Sequence, residues 1–205
     1  MASSHAGMPS TATRALGVVG ILGGLGLLAA FVVEIPAAWN TLRLFMFPAG
    51  AIAVAAAAYG SHVAASRALA LAGTIPVVLA NGALIAWELL ALGREQPFAG
   101  DFGLVGFWVG LGVWLADAWF GIIALRLGIL WRWAAVALVA GSLLAILGID
   151  RLGLTSAADP TIFGPIALAG IALNGLAWVL LGIDVVMGLP RLGWRRGVGV
   201  PDGAL

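Results

Sequence analysis

The stretch that decides the fold class lies at residues 104–127 and reads LVGFWVGLGVWLADAWFGIIALRL. Its charged residues are Asp117, near the middle, and Arg126, one position before the end. The hydrocarbon core of a bilayer is about 30 Å thick, and about 20 apolar residues in a helix cross it. Because backbone groups in lipid must hydrogen-bond within their own segment, such a run has to be helical. The stretch therefore predicts a transmembrane helix.

Five further runs share this length and apolar character, and none alternates apolar with polar residues as a barrel strand would. They are Ala15–Glu34, Thr41–Gly60, Arg67–Leu92, Leu130–Gly148 and Ile162–Met187. The sequence thus predicts an all-α protein, an integral membrane bundle of six transmembrane helices over residues 15–192. We expect a disordered N-terminal segment at residues 1–14 and a mobile cytoplasmic tail at residues 193–205.

The composition agrees with a membrane protein and excludes several other classes. Of 205 residues, 62% are apolar and 9% are charged, against about 45–50% and about 25% in ordinary soluble domains. The mean hydropathy is +1.11. A soluble domain, a disordered chain and a nucleic-acid-binding module are therefore excluded, and the bilayer is the expected partner.

Missing residue types narrow the chemistry further. The chain has no cysteine and no lysine, which excludes disulfides, thiolate metal sites and Schiff bases. The two histidines, His5 and His62, lie outside the apolar runs, so a buried haem held by two histidines is not expected. We therefore predict no cofactor and no metal site.

The arginines predict the orientation of the bundle in the membrane. With six spans, both termini lie on one side, and that side carries seven arginines: Arg14, Arg67, Arg126, Arg132, Arg191, Arg195 and Arg196. The other side carries three: Arg43, Arg94 and Arg151. Cytoplasmic loops are enriched in basic residues. Both termini are thus predicted to be cytoplasmic.

Two glycine pairs lie at a spacing that brings membrane helices close together. They are Gly20 with Gly24, and Gly106 with Gly110. Small residues four apart let helix backbones approach, either between two chains or within one bundle. Packing within the bundle is the favoured interpretation, while a homo-oligomer or a partner in a membrane complex stays open.

Asp117 is the sharpest candidate for chemistry. A carboxyl group near the centre of a membrane helix is costly and needs a functional or structural reason. Gly110, Trp114 and Gly121 share its helix face by spacing. It could serve as a proton or cation relay, as the acid of an intramembrane active site, or as a neutral Asp hydrogen-bonded to a neighbouring helix.

Other polar or aromatic residues at mid-depth could line a substrate or ion pathway with Asp117. Asn81 follows Pro76 in the third run, and Glu88 lies on the same face nearer the outer side. Asn174 and Trp178 share a face of the sixth run. Asparagine in a membrane helix also commonly joins helices by hydrogen bonds, and that structural interpretation remains open.

Two weaker signals concern the third and sixth runs. Asn81-Gly82 and Asn174-Gly175 follow similar Leu-Ala-Gly triplets, which would fit an inverted repeat of two three-helix halves. Asp184 lies near the inner end of the sixth run, where Arg126, Arg191 or Arg195 could pair with it.

The second half of the chain resembles a known group of proteins. Residues 118–133 read AWFGIIALRLGILWRW, where a helix ends in Arg-x-Gly and the next begins with Arg-Trp, and residues 177–182 read AWVLLG. These features resemble small six-span bacterial membrane proteins of unknown function. The resemblance implies a six-helix bundle in the bacterial cytoplasmic membrane, and it implies no particular activity.

Three functions remain open at this point. The favoured one is a small transporter or ion-coupled permease with Asp117 as the coupling carboxylate. An integral-membrane enzyme acting on a lipid or isoprenoid would use Asp117 and Glu88, but no nucleotide-binding, zinc or catalytic-triad motif is present, so a non-enzymatic protein is preferred. A non-catalytic subunit or regulator of a larger membrane complex is the third.

Overall fold

The protein is all-helical in the part that the structure, a computed structural model, describes. That part comprises residues 10–32, 37–92, 100–128, 130–148 and 165–188, and it holds six helices and no strand. The helices are α1 (Thr11–Val32), α2 (Ala37–Ala65), α3 (Arg67–Ala91), α4 (Gly100–Leu127), α5 (Arg132–Gly148) and α6 (Pro165–Met187).

Four of the six helices are long and apolar enough to cross a membrane. The spanning segments are Thr11–Ala29, Arg67–Ala91, Gly103–Leu127 and Ile166–Met187. The helices α2 and α5 supply shorter apolar segments, Phe45–Gly60 and Arg132–Gly148. The chain is thus a membrane protein by length and composition, while six crossings and cytoplasmic termini stay predictions.

The six helices form a closed ring in chain order. Each helix packs against its neighbours in sequence, and α6 packs extensively against α1. The connections from α2 to α3 and from α4 to α5 are short, which favours packing between those neighbouring helices. The helix α2 also contacts α4 and α6 across the ring, so part of it fills the interior.

The interior of the ring holds bulky apolar side chains. The largest fully buried ones include Trp178, Phe120, Ile123 and Leu138. The outer faces of the helices are apolar as well, since Leu79, Leu90, Leu147 and Ile166 are all exposed. Apolar residues on both faces are typical of helices surrounded by lipid.

The glycine pair in α1 packs within the chain. A Cβ atom at Gly24 would lie 2.6 Å from the carbonyl oxygen of Gly175 in α6, and one at Gly20 would collide with Val54 in α2. In the second pair, Gly106 lies against the Trp87 indole of α3, whereas a Cβ at Gly110 would meet nothing within 4 Å. At least three of the four glycines therefore serve the bundle itself, and a homo-oligomer stays a prediction.

The helix bounds differ from the predicted runs by up to five residues, and two of the differences matter most. The helix α1 begins at Thr11, so residues 11–14 are helical rather than disordered, because Ser10 Oγ accepts a hydrogen bond from the Thr13 backbone N–H at 3.1 Å and caps the helix. The helix α2 continues past Gly60 to Ala65, and Ser66 caps the start of α3. Residues 1–9 and the predicted tail at 193–205 lie outside the described residues.

The turn between α4 and α5 is short and is held by α6. Gly128 adopts a φ of 61°, which favours glycine, directly after the end of α4. Asp184 Oδ2 accepts a hydrogen bond from the Trp131 backbone N–H at 3.0 Å, just before α5 begins. Of the arginines predicted to pair with Asp184, Arg191 and Arg195 lie outside the described residues.

Candidate functional site

The candidate site is centred on the Asp117 carboxyl group, which α4 places in the interior of the ring. Asp117 is fully buried. Its Oδ2 accepts two hydrogen bonds, from Asn174 Nδ2 at 3.2 Å and from Trp178 Nε1 at 3.0 Å. Hydrogen bonds to a carboxyl group are among the stronger ones in proteins, particularly when the group is ionised. One oxygen of the carboxyl is therefore fixed in place by two donors.

Both donors come from one face of α6. Asn174 and Trp178 are four residues apart, a spacing that puts neighbouring side chains on the same side of a helix. The helix α5 lies between α4 and α6 in the ring. The two hydrogen bonds therefore cross the interior instead of joining adjacent helices.

Ser142 of α5 extends the hydrogen-bond network. Its Oγ accepts a hydrogen bond from Asn174 Nδ2 at 2.9 Å, and the side chain is fully buried. The amide of Asn174 thus donates to both Ser142 and Asp117. Sequence analysis missed Ser142, although a serine beside Gly141 in the middle of an apolar helix is the kind of signal that could have identified it.

Asn81 brings a fourth helix, α3, to the cluster. Its Nδ2 donates to the Val77 carbonyl oxygen of its own helix at 3.0 Å. The amide also lies within interaction distance of the Asp117 carboxyl group. We call Asn81, Asp117, Ser142, Asn174 and Trp178 the polar cluster. All five are fully buried, and they come from α3, α4, α5 and α6.

Three oxygen atoms in the polar cluster have no hydrogen-bond partner. They are Oδ1 of Asn81, Oδ1 of Asp117 and Oδ1 of Asn174. A buried acceptor that is left unsatisfied costs about 1–3 kcal/mol. All three atoms are acceptors, and they belong to side chains grouped around one carboxyl. In this arrangement the three acceptors are therefore left without a donor.

Aromatic rings connect the polar cluster to α2. Phe120 stacks on Trp178 with ring centroids 5.7 Å apart and an interplanar angle of 21°. His62 of α2 also contacts Phe120, with ring centroids 5.8 Å apart. The expectation that His62 lies outside the buried regions is wrong, because α2 does not end at Gly60 and carries His62 into the interior, where it is fully buried.

Two residues named from the sequence lie apart from the polar cluster. Trp114 packs its ring against Phe47 of α2, with centroids 6.1 Å apart. Glu88 is half-buried, seven residues beyond Asn81 along α3, which corresponds to about 10 Å along the helix. Within the described residues, no hydrogen bond joins Glu88 to Asp117. The structure thus brings together Asn81, Asp117, Asn174 and Trp178, and leaves Trp114 and Glu88 outside.

On the face of α4 that carries Asp117, packing is loose towards the start of the helix and tight towards its end. Two turns towards the start of α4, the position of Gly110 is open. Towards the end of α4, a Cβ atom at Gly121 would lie 2.7 Å from Val139 and 3.0 Å from the Ala135 carbonyl oxygen of α5. Packing along this face is therefore looser at Gly110 than at Gly121.

The donor set limits what the site could hold. Among the described residues, no group of three or more histidine, cysteine, aspartate or glutamate side chains could hold a metal ion. Amide and carboxylate oxygens are ligands for hard cations and are poor ligands for soft transition metals.

The site gives mixed evidence on the predicted inverted repeat of α3 and α6. Asn81 and Asn174 occupy similar positions, because both lie at Asp117. The tryptophans do not, because Trp87 lies against Gly106 whereas Trp178 contacts Asp117.

In comparisons with protein families, curated proteins and solved structures, the chain matches no family model, no protein and no structure.

Proposed function

We propose that the chain is a small ion-coupled transporter of a bacterial cytoplasmic membrane, with Asp117 as its coupling carboxylate. The observation that carries the proposal is the position of Asp117 in the ring interior, where Oδ2 is held by Asn174 and Trp178 and Oδ1 has no partner. Ionisable residues inside membrane bundles commonly mark ion and proton pathways.

The hydrogen bonds give the carboxyl group a fixed orientation and leave one oxygen for an ion. A purely structural aspartate would be expected to use both oxygens, because an unsatisfied buried acceptor is destabilising. Here the second oxygen stays without a donor, next to two more unpartnered amide oxygens. This arrangement favours a site that binds and releases a cation over one that only joins helices.

The cluster also links four helices through one carboxyl group. A change in the charge of Asp117 would alter its bonds to α6 directly, and those to α5 through Asn174. Transport by alternating access requires groups of helices to move against each other around a central site. The position of the polar cluster supports a role for Asp117 in coupling ion binding to such a movement.

The two other functions have less support from the geometry. An enzyme using Asp117 and Glu88 needs both carboxyl groups at one substrate, and Glu88 lies about two helix turns from the level of Asn81. A subunit that docks on a larger complex needs a free surface of small residues, whereas Gly17, Gly20, Gly23 and Gly24 pack against α2 and α6 within the chain.

The proposal is tested by ion flux in reconstituted liposomes. Vesicles contain a pH-sensitive dye, and uptake of radioactive Na⁺ is measured in parallel, with a mixture of amino acids, nucleosides, sugars and organic acids outside. We expect the wild-type protein to carry protons or Na⁺ faster than empty vesicles and Asp117→Asn to match empty vesicles.

The control variant is Glu88→Gln, which removes a membrane carboxyl group outside the polar cluster and should retain the flux. Equal flux by wild type and a folded Asp117→Asn variant would contradict the coupling role. Absence of flux of either ion through the wild-type protein would contradict the transport function itself.

A further inference from the structure

We infer that the polar cluster binds a monovalent metal cation, with Na⁺ as the natural candidate, through Oδ1 of Asn81, Oδ1 of Asp117 and Oδ1 of Asn174. The inference rests on the proposed function and specifies its coupling ion. It adds to the coupling carboxylate two neutral amide ligands, from α3 and α6.

The number of unpartnered acceptors is the first argument. Three oxygen atoms lie on fully buried side chains grouped around one carboxyl, and none of them accepts a hydrogen bond from a described residue. The amide hydrogens of Asn174 are already used by Asp117 and Ser142, while Asn81 Nδ2 donates one of its two hydrogens to Val77 and lies near the Asp117 carboxyl group. The second N–H of Asn81 and the Ser142 hydroxyl are the remaining donors of the cluster, and two donors are fewer than the three unpartnered oxygens.

A proton on Asp117 is the simplest alternative to a metal ion. Protonation of Asp117 Oδ1 turns one acceptor into a single donor, which can serve only one of the two amide oxygens at a time. A single water molecule donates two hydrogen bonds and so also leaves one of three acceptors without a partner. A metal cation can contact all three oxygens at once, because hard cations bind several oxygen ligands together.

The charge of the cluster sets the charge of the ion. Asp117 is the one acidic residue in the polar cluster, and the other four members are neutral. An uncompensated charge inside an apolar bundle is strongly unfavourable. A monovalent cation and an ionised Asp117 sum to zero, whereas a divalent cation would leave one positive charge.

The local surroundings fit the release of such an ion towards one side. On the helix face of Asp117, the position of Gly110 towards the start of α4 is open, while Gly121 towards the end of α4 packs tightly on α5. An ion that leaves Asp117 along this face would therefore pass Gly110. The bulky variant Gly110→Phe is expected to slow the exchange of the ion.

The test is cation binding to the intact protein in detergent. Thermal unfolding and tryptophan fluorescence are measured while NaCl replaces choline chloride at constant ionic strength. Trp178 donates to Asp117 and should report binding by a change in emission. We expect Na⁺ to raise the melting temperature in a saturable way, since a ligand that binds only the folded state stabilises it.

Three variants separate the site from a general salt effect. Asp117→Asn should abolish the Na⁺ response, and Asn81→Leu should raise the half-saturating Na⁺ concentration by about tenfold or more, on the scale of losing a metal-supporting contact. Glu88→Gln should respond like the wild type. If Asn81→Leu does not fold, Asn81→Asp provides the second test, because a second carboxylate at the ion should change the preference from Na⁺ towards divalent cations.

The outcomes distinguish this inference from the proposed function. A response to K⁺ equal to that of Na⁺ supports a monovalent cation site. Identical melting curves and spectra in NaCl and choline chloride, or a response to Mg²⁺ alone, would overturn the inference. If Na⁺ has no effect but Asp117-dependent proton flux is present in liposomes, the transport proposal stands and the cation site does not. If Na⁺ binds but no flux occurs, the cation site stands and transport fails.

Discussion

Trp178 donates a hydrogen bond from Nε1 to Oδ2 of Asp117 at 3.0 Å, and this bond joins α6 to α4 across the helix that separates them. The same indole stacks on Phe120, three residues after Asp117 on α4. Trp178 therefore holds the carboxyl group by a hydrogen bond and α4 by an aromatic contact.

Trp178→Phe should weaken the bundle through loss of that hydrogen bond. Phenylalanine keeps an aromatic ring for Phe120 but has no N–H group, so Asp117 Oδ2 retains only the bond from Asn174. We expect a loss of about 1–3 kcal/mol in the free energy of unfolding, the cost of a lost partner for a buried polar group. Denaturation of the purified protein in detergent measures it. The control is Trp114→Phe, whose ring contacts Phe47, and equal losses for both variants would contradict the expected role of the N–H group.

Ser142 and Asn174 should be energetically coupled. Their hydrogen bond at 2.9 Å lies in the interior, but such bonds between membrane helices contribute modestly. A double-mutant cycle of Ser142→Ala and Asn174→Ala is expected to give a coupling energy of about 0.6 kcal/mol, from the unfolding free energies. A cycle of Ser142→Ala with Trp114→Phe serves as the reference and should give a value near zero. The same coupling in both cycles would argue against the bond.

Gly24→Ala should destabilise the contact between α1 and α6. A methyl group there would lie 2.6 Å from the Gly175 carbonyl oxygen, so the two backbones have to separate. Overpacking of this kind typically costs about 1–3 kcal/mol. Gly112→Ala is the matched control, because its methyl group would meet nothing within 4 Å. The melting temperatures of the two variants are compared, and an unchanged Gly24→Ala variant would contradict the close contact.

The orientation can be measured directly, because the chain has no cysteine of its own. The arginine distribution predicts a cytoplasmic N-terminus. In intact cells, a membrane-impermeant maleimide should therefore fail to label Ser10→Cys, before α1, and should label Leu92→Cys, after α3. Lysed cells, in which both variants should react, provide the control. Labelling of Ser10→Cys in intact cells would reverse the predicted topology.

The sequence predicts the helices from the length of the apolar runs, and it predicts part of the site from the polar residues inside those runs. The cost of polar groups in lipid draws attention to Asp117, Asn81 and Asn174 wherever they lie in an apolar run. Which of them meet depends on the closure of the ring by α1 and α6, a long-range contact that no local pattern encodes. Helical spacing put Trp114 beside Asp117, but its ring is directed to Phe47 instead.

Two members of the interior were missed because their roles depend on contacts with other helices. Ser142 is a common residue in membrane helices, and its importance comes from the Asn174 amide that reaches it from α6. His62 follows Gly60-Ser61, a pattern that favours a turn, but α2 continues to Ala65, and Ser66 then caps the start of α3. Packing across the ring then buries the imidazole against Phe120.

The most direct test of Asp117 as the coupling carboxylate is charge movement in proteoliposomes adsorbed on a supported membrane. Rapid jumps in Na⁺ concentration, and separately in pH, are applied to the wild-type protein and to a folded Asp117→Asn variant. We predict a transient current in the wild type on at least one of these jumps, and no current above protein-free vesicles in Asp117→Asn. Currents of equal size in the two proteins, or no current from the wild type on either jump, would contradict the account.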